Sequence, residues 1–112
     1  MIIDDSQVVR LQVSRLLATA GYAVVEAIDG QDALDKLTSN PDVTLVFCDV
    51  NMPRLNGIEF LERVRPGLPV VMLTTEGQIE LRQRAKELGS RGWIKKPFKP
   101  ELLVETVRKL TA

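Results

Sequence analysis

The chain has 112 residues, 45% hydrophobic and 27% charged, with fifteen basic and fifteen acidic side chains in balance. That length suits one domain, residues 1–112, large enough to bury a core without metals or disulfides, and the missing basic excess argues against a general nucleic-acid binder. One cysteine, Cys48, excludes an internal disulfide framework, and the lack of histidine excludes histidine ligands, histidine bases and a histidine phosphodonor.

Met1–Ile3 reads as a short strand cut off by Asp4-Asp5. Ser6 can cap a helix in which Val9, Val13, Leu16 and Ala20 share a stripe, closed by Gly21. Ala23–Ala27 reads as a second strand. A short helix from Gly30 carries Ala33, Leu34 and Leu37 and ends before Asn40-Pro41. Val43–Cys48 is a continuous apolar strand, in which Cys48 reads as a small buried hydrophobe, and it stops at Asp49. Asn56-Gly57 alone suggests a hairpin, but Phe60, Leu61 and Val64 keep helical spacing up to Pro66-Gly67. Pro69–Leu73 is a fourth strand, followed by Thr74-Thr75. Leu81, Ala85 and Leu88 mark a helix stopped by Gly89. Trp93-Ile94 lies in a fifth strand before Lys96-Pro97, and Pro100 starts a last helix with Leu103, Val107 and Leu110 on one side.

Strand and helix thus alternate five times. The expected fold is α/β, a doubly wound five-stranded parallel sheet with helices on both faces. In such sheets ligands sit beyond the carboxyl ends of the strands. Asp4 and Asp5, Asp49, Thr74 and Lys96 stand at four of those five ends. Each has an ordinary reading: acids at a helix start, a turn aspartate, a β-forming threonine, a solvated lysine. Together they make a chemically coherent set. Carboxylates a few ångströms apart repel each other unless a cation intervenes, and hard oxygen donors with an incomplete protein shell suit Mg²⁺. With repulsion suppressed, Asp49 can act as a nucleophile toward phosphate, Lys96 can supply a point charge and Thr74 a hydrogen bond.

The acid pair, DVNMPRLNG, LPVVMLTTE and IKKPF together resemble the receiver domain of two-component response regulators, nearest in pattern to the single-domain chemotaxis regulators. The likeness runs from Ile3 to Leu110. It implies a flavodoxin-like three-layer sandwich with strand order 2-1-3-4-5. It implies Asp49 as phosphoacceptor, Asp5 as direct Mg²⁺ ligand, Asp4 acting mainly through metal-bound water, and Asn51 offering its backbone carbonyl. Thr74 and Lys96 resemble the switch hydroxyl and the phosphate-contacting lysine, Trp93 the switch aromatic, and the Lys96–Pro97 peptide is expected cis.

The implied function is a phosphorylation-dependent switch. It takes its phosphoryl group from a sensor histidine kinase or phosphotransfer protein and binds a protein effector. The effector face is formed by the Leu81–Leu88 helix, the fifth strand and the last helix, with Ile79, Arg82, Lys86, Lys95 and Trp93 outward. Its only catalysis is its own phosphoryl transfer and autodephosphorylation. Asn51 and Glu76 are expected to tune attack by water and limit the mark's lifetime. A monomer is expected, with a phosphorylation-dependent dimer as the alternative, and no direct nucleic acid or membrane partner. No apolar stretch reaches a membrane span and no signal-peptide core is present, so the expected location is cytoplasmic.

Some positions depart from the family pattern. Only Met1–Ile3 precede the acid pair, so the expectation is either weak pairing at the sheet centre or a sequence trimmed at its start. Gln12 stands where an apolar residue is common. Thr75 replaces a small residue and is expected to narrow access to the phosphoryl group. Trp93 is larger than the usual aromatic, so a muted aromatic step is expected. Two other readings compete. A scaffold that never takes phosphate would normally lack an acid or the lysine. An aspartate-nucleophile phosphatase would carry a second acid where this chain has Asn51.

Overall fold

In the computed structural model residues 1–75 and 79–111 are described, the last segment without the side chain of Ile79. Among them five strands alternate with five helices: β1 Ile2–Ile3, α1 Gln7–Thr19, β2 Glu26–Ala27, α2 Gly30–Ser39, β3 Val46–Asp49, α3 Gly57–Arg63, β4 Val70–Thr74, α4 Ile79–Glu87, β5 Gly92–Lys95 and α5 Pro100–Thr111. The strands are all parallel, in the order β2-β1-β3-β4-β5. The register sets Ile3 beside Ala27 and Cys48, Cys48 beside Met72, and Met72 beside Trp93.

Every residue of β3 and β4 is buried, because both faces of the sheet are covered. Alternation sends their side chains to two cores. Val46, Cys48, Val70 and Met72 join Ala33 and Leu37 of α2, Phe60 and Leu61 of α3, and Ala85 of α4. Phe47, Val71 and Leu73 join Val13 and Leu17 of α1 and Leu103 and Val107 of α5. The sandwich is therefore held from both sides of one sheet. Cys48 is fully buried, its Sγ donating to the Asp49 carbonyl at 3.3 Å. Burial pushes that thiol well above its ordinary value, and the Asp49 and Asp4 carboxylates add to the effect.

Local chemistry explains where the helices start. The Ser6 hydroxyl accepts from the Val9 N–H at 3.3 Å and caps α1. Asn56 and Glu59 form a reciprocal capping box, which is why Asn56-Gly57 opens a helix instead of a hairpin. Gly21, at φ 97°, supplies the left-handed turn after α1.

Three sequence expectations are corrected. The buried stripe of α1 is Val13 and Leu17, while Ala20 is exposed because it is the C-cap, where the chain already leaves the sheet. The second strand is Glu26–Ala27 and not Ala23–Ala27, since β2 can pair only as far as two-residue β1 extends. The third strand begins at Val46 instead of Val43. Short as it is, β1 pairs on both sides, and its isoleucines are fully buried. The ladder continues past its ends through Phe47 N–H to the Met1 carbonyl at 2.9 Å and Asp4 N–H to the Ala27 carbonyl at 3.1 Å. Among the described residues no helix is long and apolar enough to cross a membrane.

Gly57 fixes how closely α3 approaches the end of β3. Its N–H donates to the Val50 carbonyl at 3.0 Å. A β-carbon there would run into the Asp49 carbonyl oxygen and lie 3.0 Å from Val50 Cα, both backbone atoms that cannot rotate away. Gly57→Ala should therefore cost about 2 kcal/mol of stability, read as a lower urea midpoint with an unchanged m-value.

Candidate functional site

Because the strands are parallel, their carboxyl ends meet at one rim. There β1 delivers Asp4 and Asp5, β3 ends on Asp49, β4 ends on Thr74, and β5 leads into Lys96. The Lys96 N–H donates to the Thr74 carbonyl at 2.9 Å, which continues the β4–β5 pairing into the site. The Lys96–Pro97 peptide is cis.

Asp4 is buried, and both its carboxylate oxygens accept hydrogen bonds. Its Oδ1 accepts the Ser6 N–H at 2.9 Å, and its Oδ2 accepts Lys96 Nζ at 2.6 Å. Arg10 Nη1 donates to its carbonyl at 2.6 Å. Asp5 is exposed. Lys96 Nζ also lies 3.7 Å from Asp49 Oδ2, so one ammonium faces two carboxylates. Burial pushes the Asp49 carboxyl above the usual carboxylate range. Lys96 pulls the other way, Asp4 adds to the push, and the N–H groups of Val50 and Asn51 oppose it. One carboxylate oxygen each of Asp4, Asp5 and Asp49 lies within 4.8 Å of the others. Three converging hard oxygen donors with the Lys96 ammonium beside them fit a small divalent cation.

Thr74 is fully buried, whereas Thr75 is exposed. Thr75 and Lys96 border a cleft of about 570 Å³ that runs along α1, past Val9, Gln12 and Leu16, to Pro97 and Phe98. Gln12 thus lies on the cleft, its side chain in solvent. Asn51 is exposed in the loop after Asp49. Trp93 is half-buried and packs on the core that contains Met72 and Ala85. Glu76 lies outside the described residues.

Sequence reasoning missed one ion pair beside the site. Asp29, 2% exposed, caps α2 by accepting the Asp32 N–H at 2.8 Å. It also accepts Arg54 Nε at 2.7 Å and Nη2 at 3.2 Å. Burial alone would raise the Asp29 carboxyl, but Arg54 and the Asp32 N–H hold it below its ordinary value. Asp29-Gly30 ahead of a helix was a legible cap signal; nothing in the sequence tied Arg54 to it.

The response regulator receiver domain model matches residues 1–108. A chemotaxis protein CheY homolog of Campylobacter jejuni is 37% identical over 111 residues, covering 94% of this chain and 85% of that protein. Chemotaxis protein CheY1 of Helicobacter pylori is 35% identical over 94% of this chain and 90% of its own length. Among solved structures, Vibrio cholerae CheY4 superposes with a TM-score of 0.89 at 40% identity, over 97% of this chain and 94% of that one. The receiver domain of NtrX from Brucella abortus also gives 0.89, at 31% identity and the same coverage.

Fold and site together define a phosphorylation-dependent signalling module of the flavodoxin-like α/β class. The chain belongs to the response regulator receiver domain family. CheY-type receivers act as switches between a kinase and a downstream effector, and the family binds Mg²⁺ at an acidic pocket.

The raised carboxyl of Asp49 has a consequence for stability without metal. The fold favours its protonated form, so that contribution is full at low pH and lost as pH rises through the raised value. Asp49→Asn should raise the melting temperature of the metal-free protein at pH 7 by roughly 5 °C, and the difference should shrink toward pH 4. Calorimetric scans in chelator measure both.

Proposed function

We propose that this chain is a Mg²⁺-dependent phospho-aspartate switch, residues 1–112 forming one receiver domain, with Asp49 as the phosphoacceptor. The observation that carries this reading is the convergence of Asp4, Asp5 and Asp49 around Lys96 Nζ at one rim of the sheet. Asp4, Asp5, Asp49 and the Asn51 carbonyl would hold Mg²⁺, whose charge offsets the carboxylates and lets a phosphate dianion approach. An Asp49 oxygen then attacks the phosphorus of a phosphohistidine on a sensor kinase or phosphotransfer protein. The P–N bond breaks, its electron pair stays with the imidazole, and an acyl phosphate remains on Asp49. Lys96, already 3.7 Å from Asp49, is near enough to pair with the added oxygens, and Thr74 ends the neighbouring strand with its hydroxyl.

Phosphorylation adds nearly two negative charges and biases a pre-existing two-state equilibrium. Trp93, half-buried on β5, is the switch aromatic in this reading, its step muted by the size of indole. The effector docks on the face of α4, β5 and α5, where Arg82, Lys86 and Lys95 are exposed. Water then hydrolyses the acyl phosphate, tuned by Asn51 and Glu76, so the protein catalyses only its own phosphorylation and dephosphorylation. The protein works as a cytoplasmic monomer, or as a dimer when phosphorylated, with no nucleic-acid or membrane partner.

Mass spectrometry after incubation with Mg²⁺ and acetyl phosphate tests this. A transient single-phosphoryl adduct that Asp49→Asn abolishes is expected. No adduct would favour a phosphate-independent scaffold, and many turnovers per protein a phosphatase. Thr75→Ala should phosphorylate faster than the parent under the same conditions, because it clears a branched side chain from the mouth of the site; equal rates would show that Thr75 imposes no barrier.

A further inference from the structure

Arg54 has φ 65°, the left-handed region that suits glycine or asparagine and strains a residue with a long side chain. The conformation serves a contact. Its guanidinium forks onto the buried carboxylate of Asp29, 25 residues away on a different crossover. The Asp29 carboxylate is itself fixed, since it also caps α2 through the Asp32 N–H. The next residue on each side repeats the link: the Gly30 N–H donates to the Leu55 carbonyl at 2.9 Å. A β-carbon at Gly30 would meet that oxygen at 2.5 Å, so the two backbones touch.

The loop between β3 and α3 is thus anchored twice. Val50 is tied to Gly57 at one end, and Arg54 and Leu55 are tied to the start of α2 at the other. Asn51, Met52 and Pro53 lie between these anchors, with Met52 packed against the core and the Pro53 carbonyl accepting the Leu55 N–H at 2.8 Å. A backbone carbonyl binds a metal well only when its peptide is oriented beforehand, because an ordering cost otherwise falls on binding.

We infer that the Asp29–Arg54 pair positions the loop that presents Asn51, setting Mg²⁺ affinity from outside the ligand shell; this rests on the metal site proposed above. Asp29 and Arg54 are positioning residues, neither of them among the groups assigned to metal or phosphoryl. The pair is specific to these two side chains: neither a lysine at 54, which lacks the fork, nor an asparagine at 29, which lacks the charge, reproduces it.

Two measurements on the full chain test the inference. Asp29→Asn keeps the helix cap, since asparagine caps as well as aspartate. Arg54→Gly deletes the pair while removing the backbone strain. Both variants should show faster hydrogen exchange at the amides of Asn51, Met52, residue 54 and Leu55 without metal, and Mg²⁺ affinity about tenfold weaker by calorimetric titration. Arg54→Lys should fall between them and the parent. The double variant should match the single ones, because the two residues act as a unit. Unchanged exchange in either single variant overturns the inference, as does faster exchange with parental Mg²⁺ affinity. Arg54→Gly with parental affinity beside a weakened Asp29→Asn also overturns it, since backbone shape and not the pair would then govern the loop. A parent chain with no Mg²⁺ binding instead rejects the metal site itself, a result visible before any variant is compared.

Discussion

A carboxylate that is 1% exposed cannot be left without compensation, and Asp4 is such a group at the rim of the sheet. Its partner, Lys96, comes from 92 residues away, at the far end of the chain. Removing Lys96 would leave a buried carboxylate with only the Ser6 N–H, so the pair links the end of β1 to the segment after β5. Asp49 then inherits its surroundings from this contact. It faces the same ammonium at a longer 3.7 Å, and it shares the rim with an acid already paired. Asp4 is engaged at short range while Asp49 lies farther from the same ammonium.

Much of the architecture was legible because period and polarity agree. Continuous apolar runs such as Val46–Cys48 alternate with helix-spaced apolar residues. A parallel sheet then follows, and parallel strands bring every carboxyl end to the same rim. The convergence of Asp4, Asp49, Thr74 and Lys96 was readable for that reason alone. Boundaries were less legible where they depend on a neighbour. Ala23 and Val24 have the composition of a strand, yet β1 reaches back only as far as the Val25 carbonyl, which accepts the Ile2 N–H. Ala20 has the spacing of a core residue, but the helix ends beneath it.

Asp29 and Arg54 illustrate a deeper limit. Neither residue is unusual in its local sequence, and the contact between them exists only once two crossovers pack side by side. Gly30 and Gly57 belong to the same category. Each glycine matters because another segment's backbone, at Leu55 or Asp49, occupies the space a side chain would need. Long-range steric demands of this kind leave no periodic trace, whereas a capping residue such as Ser6 announces itself within three positions.

The single sulfhydryl, sealed inside β3 with its ionisation suppressed, separates this molecule from another signalling currency. Peroxide, glutathione and nitrosyl donors all require an accessible thiolate, and Cys48 offers none. Oxidative stress can therefore pass over the cysteine, and a lone reporter cysteine engineered onto the surface would take up a maleimide dye without competition from inside.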